Sequence, residues 1–222
     1  VDESARTITG RQQLDWLKRR LSSSNARWQL VGNSVMIAPL SVGGLPAPIA
    51  DALNVGLQGA VSSNGVPLNP DAWDGYTDDR RELFGHIRRH DLDNVVFLTG
   101  DIHTGLAADL PVDKASYPLG ETAGVELVCA SVTSGNFDDE LSSPPHTSSE
   151  VIAAALVASN PHYKYVNLDD HGYCVLDVTP QRVQCDWWIV GDRRKRDTGV
   201  RHDGSLQVRS GVGRLEPANR PL

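Results

Sequence analysis

The chain has 222 residues, 40% of them hydrophobic and 22% charged, a mixture that builds one substantial core and excludes a disordered or fibrous polypeptide. Its formal net charge of -7 argues against a general nucleic-acid binder, because phosphate backbones are held by clustered Lys and Arg. No stretch approaches the ~20 consecutive apolar residues that cross a bilayer, and Val1-Asp2-Glu3-Ser4 is neither a basic nor an apolar leader.

The first readable element is a helix opening near Thr9, with Leu14, Leu17 and Leu21 on one face and Trp16 beside them. It follows the start so closely, with no initial Met, that further polypeptide is expected upstream or on a separate chain. Trp28 to Val31 reads as a short buried strand running into Gly32-Asn33-Ser34. From Pro39 to Pro70 the composition shifts to Gly, Pro, Ser and Asn, the signature of a long surface excursion. Regular structure resumes at Trp73-Asp74-Gly75-Tyr76, and Arg80 to His90 forms a second helix with Leu83, Phe84 and Ile87 inward. Val95 to Leu98 is an unbroken apolar run, as in strands buried on both faces, and Gly100 ends it.

After an irregular stretch, Val125 to Cys129 forms a strand that ends at Ser131 to Gly135. A mobile loop is expected over Asp138 to Thr147, then a helix over Glu150 to Ala158. Strands follow over Tyr163 to Leu168, Tyr173 to Val178 and Arg182 to Val190, the last two joined as a hairpin. The basic run Arg193-Arg194-Lys195-Arg196 reads as a solvated turn or strand edge, and residues 193–222 as a polar, frayed tail beyond a domain over 1–192. The three cysteines, Cys129, Cys174 and Cys185, lack zinc-finger spacing. Cys174 and Cys185 flank the hairpin turn, which leaves a disulfide and buried free thiols both open.

Helices alternating with short apolar strands before a terminal hairpin indicate an α/β layered fold with mixed strand directions, in which ligands bind beyond the carboxyl ends of strands. Two such ends carry metal-capable residues. Asp101 and His103 leave the Val95 strand together, where carboxylate oxygen suits calcium or iron and imidazole suits iron or zinc; the bland reading is an Asp capping a turn beside a surface His. Asn33 offers a carbonyl to a metal or substrate, or simply a left-handed turn. Glu126, inside an apolar strand, either points outward, pairs with an Arg, or supports the site from behind. Thr133 and Ser134 either donate to a phosphate oxygen or form a turn. His171, beside Asp169 and Asp170, is a further ligand or a solvated turn, and His162 a residue hydrogen-bonded at a strand entry.

Arg6 to Leu17, Trp28 to Met36, Trp73 to Tyr76, Asn94 to His103, Val125-Glu126 with Val132 to Ser134, and Asn160 to Tyr165 occur together and in order. As a set they resemble the carboxy-terminal half of the PhoD-type alkaline phosphatases and phosphodiesterases, within the calcineurin-like metallophosphoesterases. The resemblance implies a layered α-β-β-α metallophosphoesterase sandwich, of which this chain is the carboxy-terminal portion. It implies metal-dependent hydrolysis of phosphate mono- or diesters, extending to phospholipids in the manner of a phospholipase D, and a secreted, periplasmic or cell-surface setting. It also implies a cluster of iron (Fe) and calcium (Ca), with zinc (Zn) or manganese (Mn) as alternatives, for which Asp101 and His103 match the Gly-Asp-x-His ligands. Ser34 departs from the Gln usual after Asn33. The earlier ligands of the family, a Cys, an Asp and an Asp-Asp-His-Glu segment, have no counterpart before Arg6. The chain is therefore expected to be inactive alone and to associate with a half or chain carrying those ligands, the alternative being a catalytically silent binding or regulatory piece.

Overall fold

The computed structural model describes residues 6–41, 47 and 70–222; most of the expected excursion between Pro39 and Pro70 lies outside the described residues. The elements are α1 (Arg11–Ser23), β1 (Gln29–Asn33), α2 (Thr77–Arg89), β2 (Val95–Thr99), β3 (Gly105–Pro111), β4 (Thr122–Val128), α3 (Phe137–Leu141), α4 (Ser148–Ser159), β5 (Tyr163–Asn167), β6 (Gly172–Val178), β7 (Arg182–Val190), β8 (Val200–Arg209) and β9 (Leu215–Pro217), with short 3-10 turns at Trp73–Gly75 and Lys114–Ser116.

Two sheets stack. The first has five strands in the order β1-β2-β4-β3-β5, with β1, β2 and β4 parallel and β3 antiparallel to both of its neighbours. The second is antiparallel, in the order β6-β7-β8-β9. The apolar run of β2 divides by its period of two: Val95 and Phe97 pack with the helices, while Val96 and Leu98 pack against the second sheet. That division produces two cores. One joins Leu14, Leu83, Ile87, Ile152 and Leu156 of the helices to the first sheet, and the other joins Val96, Ala107 and Val125 to Val183, Cys185 and Trp187. Trp187, 1% exposed, donates from Nε1 to the Val128 carbonyl at 3.0 Å. Burying a side chain of this size stabilises the sheet stack by on the order of 5 kcal/mol.

Strand β3, read from sequence as irregular, is buried along its whole length. Its Gly105, Ala107 and Ala108 have low strand propensity, and at Gly105 there is little room for a side chain: a Cβ there would lie 3.0 Å from the Tyr165 ring of the neighbouring β5 and 3.3 Å from the Trp187 ring of the second sheet. The expected polar tail is likewise corrected, since β8 and β9 complete the second sheet. They are fastened by Asp109 of β3, which accepts hydrogen bonds from the Leu215 N–H at 2.7 Å and the Tyr117 hydroxyl at 2.7 Å. Within the expected mobile loop, α3 begins on a capping box formed by Asn136 and Asp139. Gly75 is required by contact, because a Cβ there would sit 1.7 Å from the Pro70 carbonyl oxygen.

Candidate functional site

Register brings three strand ends side by side: Asn33 of β1 lies opposite Thr99 of β2, and Thr99 opposite Val128 of β4. The chain leaves β2 in a tight turn closed by the Ile102 N–H on the Gly100 carbonyl at 3.0 Å. The left-handed positions in that turn are not at Gly100, as its type suggests, but at Asp101 (φ 75°) and His103 (φ 60°). Each such non-glycine residue stores on the order of 1 kcal/mol of backbone strain. Both are exposed. Among the described residues the Asp101 carboxylate accepts no hydrogen bond and pairs with no cation. His103 Nδ1 lies 2.9 Å from the Gly135 carbonyl oxygen. A carbonyl has no proton to give, so Nδ1 carries the hydrogen and the lone pair is left on Nε2.

Beneath this rim is a belt of buried polar groups that straps the segment leaving β1. Glu126, 0% exposed, accepts from the Ile37 N–H at 2.9 Å, the Ala38 N–H at 2.8 Å and the Thr99 hydroxyl at 2.6 Å. Burial pushes its carboxyl above the ordinary range while these donors pull it back. The outward or Arg-paired reading of Glu126 is thus overturned. Asp74 takes the Leu40 N–H at 2.8 Å and pairs with Arg80. Asn160 holds the Ser41 N–H at 3.0 Å and its carbonyl at 2.9 Å, and His162 Nε2 donates to the Pro39 carbonyl at 2.7 Å. Burial lowers the His162 pKa to about 4, so the ring is neutral. Asn33, expected to touch metal or substrate, has both ends of its amide engaged: Trp73 Nε1 donates to Oδ1 at 3.2 Å, and Nδ2 donates to the Val35 carbonyl at 2.6 Å and the Thr99 hydroxyl at 3.2 Å.

The turn after β4 forms the far side of the rim. Ser131 Oγ accepts the N–H groups of Thr133 at 3.1 Å and Ser134 at 2.8 Å, which makes the expected Ser/Thr turn; Thr133 and Ser134 are exposed. Three residues given no primary role from sequence gather here. His171 Nε2 lies 2.8 Å from the Ser134 carbonyl oxygen and in contact with Arg193 Nη1, and Arg193 Nη2 binds both carboxylate oxygens of Asp139 at 2.7 Å. Arg193 is therefore not part of a solvated run, whereas Lys195 is 75% exposed. No sequence signal marked it, because its partners lie 22 to 59 residues away. Cys129, Cys174 and Cys185 are all free thiols, with Cys174 in contact with both others.

Asp101 and His103 thus share one rim with spare donor atoms, but among the described residues no three His, Cys, Asp or Glu side chains come close enough together to hold a metal ion. No described helix is long and apolar enough to cross a membrane.

Alkaline phosphatase D of Bacillus subtilis (strain 168) is 29% identical over 225 residues, which cover 93% of this chain and 33% of that protein. A solved structure described as "Structure of PhoD" superposes with a TM-score of 0.76 at 24% identity, over 98% of this chain and 36% of that one, and shows the same layered fold. The chain accordingly spans about a third of the length of these relatives. A family model described as PhoD-like phosphatase matches residues 1–187, which take in the whole first sheet, β6, most of β7 and the whole rim except Arg193, and on that match the chain belongs to the PhoD-like phosphatase family.

Proposed function

We propose that this chain supplies one wall of a metal-dependent site that hydrolyses phosphate mono- or diesters, the remaining ligands coming from polypeptide outside these residues. The observation that carries the reading is the rim itself: a carboxylate at Asp101 that has no partner among the described residues, two positions before an imidazole at His103 whose Nε2 lone pair is left open by its Nδ1 hydrogen bond. The donor set, one hard oxygen and one imidazole nitrogen, fits the iron and calcium that the resemblance implies. When bound, such ions polarise phosphoryl oxygens and acidify water. The residues of this chain hold and aim. Asp101 and His103 grip from the end of β2, Glu126 fixes that end through Thr99, and the belt through Asn160 and His162 anchors residues 38–41, where the chain enters the excursion expected to shape the entrance.

A shared site needs a surface on which to share it. The edge position of β1, which pairs only with β2 among the described residues, supports that, with Leu30 43% exposed and Trp16 of α1 51% exposed beside a groove of about 720 Å³. A phospholipid substrate and an exported setting belong to the same proposal and rest on the family resemblance.

The test is to combine the chain with the polypeptide matching the unspanned part of the relative, then measure bound iron and phosphodiester cleavage with and without His103→Ala. The variant is expected to lose at least about 100-fold in cleavage and part of its iron. Equal activity in both would remove His103 from the mechanism.

A further inference from the structure

The tautomer of His103 depends on one atom, the Gly135 carbonyl oxygen, and that atom sits in a loop with no ladder hydrogen bonds of its own. Its position is fixed from either side. Arg193 Nη1 donates to the Ser134 carbonyl at 3.1 Å, and the Asp139 carboxylate that Arg193 grips takes the Asn136 N–H at 3.2 Å. Gly135 is the residue between these two anchors. His171 Nε2 lies 2.8 Å from the same Ser134 carbonyl oxygen and in contact with Arg193 Nη1.

We infer that Arg193 is a positioning residue: through Ser134, Asp139 and Asn136 it holds the Gly135 carbonyl against His103, keeps the proton on Nδ1, and presents Nε2 to the metal site. A guanidinium suits this because its planar fork binds the carboxylate through two oxygens and still has a donor for the carbonyl. Arg193 and Asp139 are 18% and 30% exposed in their side chains, sheltered enough for the pair to persist. The purpose of the device rests on the proposed metal role of His103, but its existence does not, and the experiment separates the two.

The chain is labelled with 15N-histidine and studied without metal or substrate at about pH 8.5, well above the imidazole range. Long-range 1H–15N correlations report each ring's tautomer, with His103 assigned by loss of its signal in His103→Gln. In the unaltered chain His103 is expected as the Nδ1–H form. Arg193→Gln should turn the majority to Nε2–H, the form free imidazole side chains prefer, and Arg193→Lys should fall between. His162, held as Nε2–H by the Pro39 carbonyl, reports that the fold is intact. If Arg193→Gln disturbs His162, Asp139→Asn removes the same ion pair at constant shape and carries the same expectation. A majority of Nε2–H in the unaltered chain, or Nδ1–H persisting in a folded variant of either kind, overturns the inference. A failed hydrolysis assay beside a confirmed tautomer shift would instead sink the functional reading alone.

Discussion

The buried belt and the exposed rim use the same residue types in opposite ways. Glu126, Asn160 and His162 are 0% exposed and Asp74 is 8% exposed, and each binds backbone or side-chain groups within residues 37–41. A polar group that far from water is tolerable only when its partners are internal. Asp101 and His103 are exposed, on strained backbone, with a carboxylate and an imidazole nitrogen unused among the described residues. The contrast separates residues whose polar groups the fold satisfies from residues that keep unsatisfied ones among the described residues.

Removing a belt residue should therefore break the fold, and Glu126→Ala should do most. Three donors, at Ile37, Ala38 and Thr99, lose their only common acceptor. At about 1–3 kcal/mol for each buried group left unsatisfied, the loss reaches about 3–9 kcal/mol, much of the stability of an ordinary domain. Urea unfolding measures it, with Glu126→Gln expected to lose less because one oxygen still accepts. A loss below about 1 kcal/mol for Glu126→Ala would mean that the belt is not what secures the segment.

His162 makes the belt sensitive to acid. Burial lowers its pKa from 6.5 to about 4, so between those values the unfolded chain binds a proton that the folded chain refuses. Stability contributed by the neutral ring is complete above pH 6.5 and is lost as pH falls toward 4, by about 3 kcal/mol at most. Unfolding midpoints across that window should show the slope, and His162→Gln, whose amide still donates to the Pro39 carbonyl, should flatten it. Equal slopes in the two chains would refute the assignment.

Sequence pattern reached the elements whose own residues decide them. The leucine stripe of α1, the apolar run of β2 and the β6–β7 hairpin are visible as periodicity and turn residues, and Asp101 with His103 as polar residues at the end of a buried strand. Strand β3 was not legible because its Gly and Ala residues are weak strand formers, and Gly105 answers to the closeness of Tyr165 and Trp187, which lie far along the chain. Strands β8 and β9 were hidden because their anchor, Asp109, lies 106 residues from Leu215. In the site, the anomaly at Glu126 was readable and its partners were not, since the acceptor and its donors are 27 to 89 residues apart. Arg193 failed for the same reason: a salt bridge made by tertiary structure leaves no local pattern.

The smallest expected effect is the most discriminating. Asp101 and Asn94 both adopt left-handed backbone, at φ 75° and 62°, where glycine relieves on the order of 1 kcal/mol of strain and loses part of it to the freedom of the unfolded chain. Asn94 is tied down, its amide donating to the Arg27 carbonyl at 2.8 Å and its oxygen accepting the Gly211 N–H at 2.7 Å. Asn94→Gly should therefore destabilise the chain by about 1–2 kcal/mol. Asp101→Gly removes a side chain that nothing within the described chain holds, so the melting temperature should stay level or rise by the equivalent of up to about 1 kcal/mol, while the assembled enzyme loses hydrolysis. A clear destabilisation by Asp101→Gly would give that carboxylate a partner inside the fold and erase the distinction between rim and belt.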